Sequence, residues 1–252
     1  MDDLVRHAMR PQRILGALRR ALRPAQPPRR RPGRPLALVY RGPGSVPGCP
    51  EAVAALLSAA PWGFDVRYTG PYEDLPLSAE TLAGAALYAQ PGGGGLSRAY
   101  RRLRRHRDEI REYVAGGGRY LGFCLGGYLA GATPGFALLP GDTDQYIASP
   151  GATVHDEEDR LVEVRWRDRT RTVFFQDGPH FVLDARPGPG VRVLATYTNG
   201  TIAALAAPFG QGRVAVVGPH PEATDDWFTD AHLPVQHTHD LGLDLVDAVM
   251  TP

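Results

Sequence analysis

The run Arg119-Tyr120-Leu121-Gly122-Phe123-Cys124-Leu125-Gly126-Gly127 constrains this chain more than any other stretch. It reads as a short apolar strand that ends in a glycine-flanked cysteine, followed by small residues able to open a helix. Such a strand–nucleophile–helix turn is sharp, so its flanks must be small and the helix must approach the strand closely. The turn sets Cys124 at a helix N-terminus, where the positive end of the dipole favours thiolate over thiol. A base for that thiol is available downstream in Gly218-Pro219-His220-Pro221-Glu222. There His220 follows the apolar run Val214–Val217, Pro221 stiffens the link, and Glu222 can turn back to accept a hydrogen bond from the imidazole.

The remainder of the chain predicts where these residues sit. Leu36–Tyr40 is an unbroken apolar run and reads as a buried first strand. A Gly/Pro loop over Gly42–Pro50 follows, then a helix from Glu51 to Ala60. Phe64–Tyr68 and Ala85–Ala89 read as the second and third strands, the latter running into Gln90-Pro91-Gly92-Gly93-Gly94-Gly95. Ser97–Ala115 predicts one Arg-rich helix with Ser97 as N-cap and Gly116–Gly118 as its stop. Tyr120–Phe123 is the fourth strand. This alternation implies an α/β fold, a mostly parallel sheet with helices on both faces. Ligands on such sheets sit beyond the carboxyl ends of the strands, where the loops Gly42–Pro50, Pro91–Gly95 and Cys124–Gly127 all fall. The backbone N–H groups of Gly93 and Gly94, with that of Leu125, would form an oxyanion hole. Beyond Gly135 the segments Leu161–Trp166, Thr172–Gln176, Val191–Tyr197, Thr201–Ala207 and Arg213–Gly218 predict an antiparallel β extension. A final helix is predicted over about Leu241–Val249.

Charge divides the chain in two. Residues 1–34 carry ten Arg against Asp2 and Asp3, a balance of +8; the remaining 18 Arg face 25 acids, a balance of −7. We therefore separate a basic Arg/Pro-rich arm, residues 1–34, from a globular domain, residues 35–252, long enough to bury one sizeable core. The arm reads either as a loosely ordered solvated segment or as a basic amphipathic contact for an anionic surface or a partner protein, and nothing in it specifies a nucleic acid. All 28 basic residues are Arg, so Schiff-base chemistry on a lysine is excluded, and no motif calls for a cofactor. The two cysteines, Cys49 and Cys124, are too few for a disulfide framework and fit a reducing, cytoplasmic compartment. No run approaches the ~20 apolar residues of a membrane span.

Other residues carry open readings. Cys49 is either a structural loop cysteine or a second thiol facing the same site. Gln176-Asp177-Gly178-Pro179-His180 is either a pocket wall with a polar specificity group or a hairpin turn. Asp142, Asp144 and the run Asp156–Asp159 read as solvated loops. His232, His237 and His239 lack a recognised metal-ligand spacing and read as a polar loop, so no metal is expected.

The elbow Gly122–Gly126 and His220-Pro221-Glu222 resemble the class I glutamine amidotransferase-like superfamily. With Val39-Tyr40-Arg41-Gly42-Pro43-Gly44, Gln90–Gly93, Gly117–Tyr128, Asp177-Gly178 and Gly218–Glu222, the chain is more similar to the N-terminal domain of biotin–protein ligases and its stand-alone bacterial relatives. The resemblance spans about residues 36–222. It implies a flavodoxin-like sheet and a cysteine hydrolase or acyl transferase in which Cys124 is the nucleophile, His220 the base and Glu222 the orienting acid. The expected substrate is a small-molecule or peptide amide, or a related carbonyl. Glutaminases of the superfamily usually carry Gln four residues after the nucleophile; Tyr128 stands there and points away from free glutamine. A non-catalytic ligand-binding or regulatory module is the alternative. A glyoxalase-like hydrolase would instead need an acid from the first loop beside the thiol, and Glu51 is the local candidate.

Overall fold

The computed structural model describes residues 33–186 and 188–251. Of the basic arm, only Gly33 and Arg34 fall among the described residues. Four strands follow one another in parallel register: β1 (Leu36–Tyr40), β2 (Asp65–Thr69), β3 (Leu87–Gln90) and β4 (Arg119–Phe123). The last parallel strand, β11 (Gly212–Val217), lies beside β4 with Val217 opposite Phe123. Six more strands complete the sheet's main path or its branch: β5 (Gly141–Gln145), β6 (Arg160–Trp166), β7 (Arg169–Phe175), β8 (Pro179–Leu183), β9 (Arg192–Tyr197) and β10 (Ile202–Phe209). The path runs β2-β1-β3-β4-β11-β10-β9-β6-β7, and everything after β11 is antiparallel. The expected α/β class and antiparallel extension are therefore present.

The inner parallel strands are largely apolar on both faces because helices cover both, whereas the edge strand β2, DVRYT, is polar in part. Helices α1 (Cys49–Ala59) and α7 (His239–Met250) pack Val53, Leu56, Leu57, Leu241 and Leu245 against one face. Helices α3 (Leu96–Leu103), α4 (Arg107–Ala115) and α5 (Leu125–Ala130) bring Leu103, Ile110, Val114, Leu125 and Leu129 to the other. Two short helices, α2 (Ala79–Ala83) and α6 (Asp225–Asp230), carry no periodic signal long enough to read in advance.

Several expectations are corrected. The Ser97–Ala115 helix is two helices joined by a 3-10 turn over Arg104–His106. A second start signal explains the break: Asp108 and Glu109 fall in the first turn of α4, where acids meet the positive helix end, and Glu109 Oε2 bonds His106 Nδ1 at 2.8 Å. Gly95, not Ser97, stands at the N-cap of α3, so the helix springs directly from the glycine loop. Helix α1 opens at Cys49 rather than Glu51. Asp142 and Asp144 are not loop residues; they belong to β5 (Gly141–Gln145), which pairs with β8. Its sequence GDTDQ has little strand propensity, and the tertiary pairing overrides it. Asp142 Oδ1 there accepts the N–H groups of Ala132 at 2.8 Å, Thr133 at 3.3 Å and Thr143 at 2.9 Å.

The elbow is held by backbone packed on backbone. A β-carbon on Gly126 would stand 2.0 Å from the Gln90 carbonyl oxygen, and one on Gly122 would stand 2.4 Å from the Gly126 oxygen. Tyr120 Oη donates to that same Gly126 oxygen at 2.8 Å. A β-carbon on Gly94 would meet nothing within 4 Å. Gly126→Ala is therefore expected to destabilise by about 2 kcal/mol or more and lower the unfolding midpoint by roughly 4–8 °C. Gly94→Ala leaves the midpoint within about 1 °C, and thermal denaturation of both variants compares the two.

Candidate active site

Four parallel strands end at one edge, and their following loops meet there. Cys124 follows β4 with φ 48 and ψ −104, a conformation uncommon for a residue with a side chain. Its N–H donates to the Val217 carbonyl at 2.9 Å, continuing the β4–β11 ladder by one rung. The thiol is 5% exposed. Sγ donates to the Gln176 carbonyl oxygen at 3.6 Å and lies close enough to the His220 ring to act on its charge.

His220 is delivered by the chain leaving β11. Its N–H donates to the Phe174 carbonyl at 2.8 Å, which anchors it to the end of β7. The ring is walled edge-on by Phe174 and Trp227, with centroids at 6.1 and 5.2 Å. Nδ1 stands 2.8 Å from Glu222 Oε1, and both side chains are buried. Burial alone would push the imidazole's pKa down. Burial is the largest single influence, but the Glu222 carboxylate and the neighbouring Cys124 together outweigh it, and the pKa rises to about 10. At neutral pH the ring is therefore an imidazolium between a carboxylate and a sulfur. Glu222 Oε2 is buried without a hydrogen-bond partner among the described residues.

The glycine loop after β3 lies across from the elbow. A β-carbon on Gly93 would stand 2.5 Å from Leu125 Cδ2, so the loop packs directly on the first residue of α5. Leu125 is the first residue of its helix, so its N–H has no intrahelical acceptor. Gly94, by contrast, is exposed. The loop is tied down by a buried chain in which Tyr88 Oη donates to Gln90 Oε1 at 2.8 Å and Gln90 Nε2 donates to the Gly44 carbonyl at 3.2 Å.

On the opposite side, Tyr128 is buried, and its hydroxyl has no partner among the described residues. Asp177 follows Gln176 with φ 46, in the left-handed region that Asp tolerates better than most residues. Gln145 Nε2 donates to both Asp177 oxygens, at 3.3 and 3.2 Å. Burial first, and the Glu157 charge second, push the Asp177 carboxyl up to about 6 against that bond.

The predicted site residues Cys124, His220, Glu222, Gly93, Leu125, Tyr128, Gln176 and Asp177 thus converge at one sheet edge. Two further residues border the site: Trp227, of which the sequence gives no local sign, and Cys49, whose second reading as a thiol facing the site is the one its position fits. Trp227 lies on a helix too short for a periodic signal. A β-carbon on Gly92 would stand 2.8 Å from His220 Cε1 and 3.2 Å from Cys49 Sγ, which brings Cys49 beside the imidazole. Glu51 does other work. It accepts the Gly48 N–H at 2.9 Å, capping α1, and pairs with Arg41 at 3.4 Å.

Residues 37–148 match the family model described as biotin–protein ligase, N-terminal. Among solved structures, a glutamine amidotransferase superposes with a TM-score of 0.57 at 18% identity, covering 84% of this chain and 98% of its own. The fold is class I glutamine amidotransferase-like. A cytoplasmic protein from Salmonella typhimurium LT2 gives a TM-score of 0.53 at 14% identity, covering 86% and 99%. A GMP synthase-type protein from Thermoplasma acidophilum gives 0.53 at 13% identity, covering 86% and 93%. No curated protein matches the sequence. On this amidotransferase-like fold, the family match contains Cys124 and the glycine loop and ends before His220. Among the described residues no helix is long and apolar enough to cross a membrane.

The Asp177 shift has a stability consequence. A carboxyl raised in the folded state penalises folding once it ionises. The penalty is absent below the unfolded value of 3.8 and complete above about 6. Asp177→Asn removes it, so the variant is expected to unfold at a higher temperature than the wild type at about pH 7.5. The gap closes by about pH 4, as read by thermal denaturation across that range.

Proposed function

We propose that the protein is a cysteine-dependent amidohydrolase or acyl transferase acting on an amide or related carbonyl other than free glutamine. The observation that carries this reading is the buried imidazole of His220, held at 2.8 Å by buried Glu222 and set beside a cysteine in a strained elbow. Because His220 already holds the proton, Cys124 would attack as a preformed thiolate, without first giving up a proton to a neutral base.

Attack on the amide carbon generates a tetrahedral oxyanion. The Leu125 N–H and the N–H groups of the glycine loop at Gly93 and Gly94 would receive it, each donor contributing ~3–4 kcal/mol of transition-state stabilisation. The imidazolium then gives its proton to the departing amine, and the C–N bond breaks to leave a thioester on Cys124. The now neutral His220 takes a proton from water or from an acceptor amine, which attacks the thioester. The acid or transferred acyl product leaves, and the thiolate–imidazolium pair is restored. Glu222 keeps the ring oriented and stabilises its positive form throughout. The domain, residues 35–252, is read as the catalytic unit and residues 1–34 as a basic arm that meets an anionic surface or partner protein.

Alkylation by iodoacetamide tests the nucleophile without knowledge of the substrate, with the modified cysteine assigned by mass spectrometry and by Cys124→Ala. The rate constant at Cys124 is expected to vary by less than about threefold from about pH 6.5 to 8.5, where an ordinary thiol accelerates by roughly fiftyfold. Glu222→Gln weakens the imidazolium and should restore the ordinary pH rise, with a rate about tenfold lower at about pH 6.5. A wild-type profile that climbs like a free thiol would overturn the thiolate reading and favour a ligand-binding or regulatory module.

A further inference from the structure

The wall of the site opposite the glycine loop has a chemical character that the reaction itself does not require. Gln176 places its carbonyl oxygen 3.6 Å from Cys124 Sγ, and Asp177 is the next residue. Gln145 Nε2 bridges the two Asp177 oxygens and so carries β5 against this turn. Asp144 precedes Gln145 and pairs in register with His180 on β8. Tyr128 comes from the elbow helix, one residue after Gly127, whose β-carbon would meet Pro179 Cγ and Phe181 Cζ of β8 at 3.2 Å. Its side chain is 9% exposed, its hydroxyl has no partner among the described residues, and Asp177, Cys124 and Asp144 all lie within electrostatic range of it.

These groups offer acceptors on a carbonyl and two carboxyls, and a phenol that can both accept and donate. The Gln145 Nε2 donor is taken up by Asp177. Among the described residues no arginine pairs with Asp144 or Asp177. His180 does not supply the missing charge, because burial pushes its imidazole below its ordinary range, against the pull of Asp144. Glu157 adds a further negative charge close enough to act on Asp177. The wall therefore carries unbalanced negative charge and an unmet phenol beside a nucleophile.

We propose that Tyr128, Asp144 and Asp177 form a cation subsite, which receives an N–H-bearing alkylammonium or guanidinium group on the amide that Cys124 attacks. This rests on the reading of Cys124 as nucleophile and adds the charge class of the substrate. The cation supplies donors to the wall and neutralises its carboxylates. Tyr128, in the place where glutaminases of the superfamily usually carry Gln, contributes the phenol oxygen. An anionic substrate would face the carboxylates directly.

Reagents of different charge read the subsite on the full chain. The probes are 2-bromoethylammonium, iodoacetamide and iodoacetate, and each rate at Cys124 is divided by its rate with a free cysteine thiol. Taken relative to iodoacetamide on the same protein, the preference for the ammonium reagent over iodoacetate is expected to be about tenfold or more, and to fall below about threefold in Asp144→Asn/Asp177→Asn. Tyr128→Phe, which removes only the hydroxyl, lowers it by an intermediate amount. A preference near one in the wild type, or one that survives in the double variant, overturns the proposal. Failure of the nucleophile reading shows separately, as an ordinary pH profile with iodoacetamide, while the charge preference still reports the wall. Should Cys124 resist all three reagents, calorimetry with agmatine decides. Binding that is lost in the double variant supports the subsite, and no binding to the wild type overturns it.

Discussion

One backbone hydrogen bond, from the Cys124 N–H to the Val217 carbonyl, sets the distance on which the site depends. It extends the parallel β4–β11 pairing past the last strand residue, so the chain must turn into the elbow at that rung. On the neighbouring strand only Gly218 and Pro219 separate Val217 from His220. The thiol and the imidazole come from positions far apart in sequence, yet the sheet register fixes their separation. The imidazole is fixed again from behind, because its own N–H is bonded to Phe174 and its ring is enclosed by Phe174 and Trp227. Glu222 then needs only a two-residue turn to reach Nδ1.

Electrostatics follow from that placement. A fully buried imidazole between apolar rings would ordinarily be neutral. The carboxylate and the sulfur reverse this, and burial strengthens their effect by excluding water from between them. The elbow helix is only six residues long, so its dipole is a smaller influence on Cys124 than the imidazolium.

Legibility in the sequence tracked physical cause. The parallel core was readable because buried strands are apolar on both faces and run into glycine-rich turns, as after Leu36–Tyr40 and Tyr120–Phe123. The elbow was readable because only glycine fits at 122 and 126, where backbone meets backbone. The catalytic-type residues stood out because each follows such a strand closely. What stayed hidden depends on contacts between distant segments. Strand β5 is polar and exists through its pairing with β8, so Asp144 and Gln145 gave no local sign of bordering the site. Cys49 could not be placed, because nothing local says that helix α1 begins at that residue or that its thiol meets Gly92. The break within residues 97–115 was signalled by Asp108 and Glu109 but masked by continuous helical spacing of Ala99, Leu103, Ile110 and Val114.

The contact of Gly126 with the Gln90 carbonyl bears on how proteins of this fold diversify. A surface without side chains offers substitution nothing to vary, so the direction in which the thiol points is frozen against drift. Variation in what the site accepts must enter through segments that reach the thiol from elsewhere. In this chain those are the turn at Gln176–Asp177 and the polar strand carrying Asp144 and Gln145. Both lie outside the central parallel strands and are held by side-chain and edge hydrogen bonds, which tolerate replacement. One half of the pocket is thereby inherited with the fold, while the other is free to be rewritten for each new substrate.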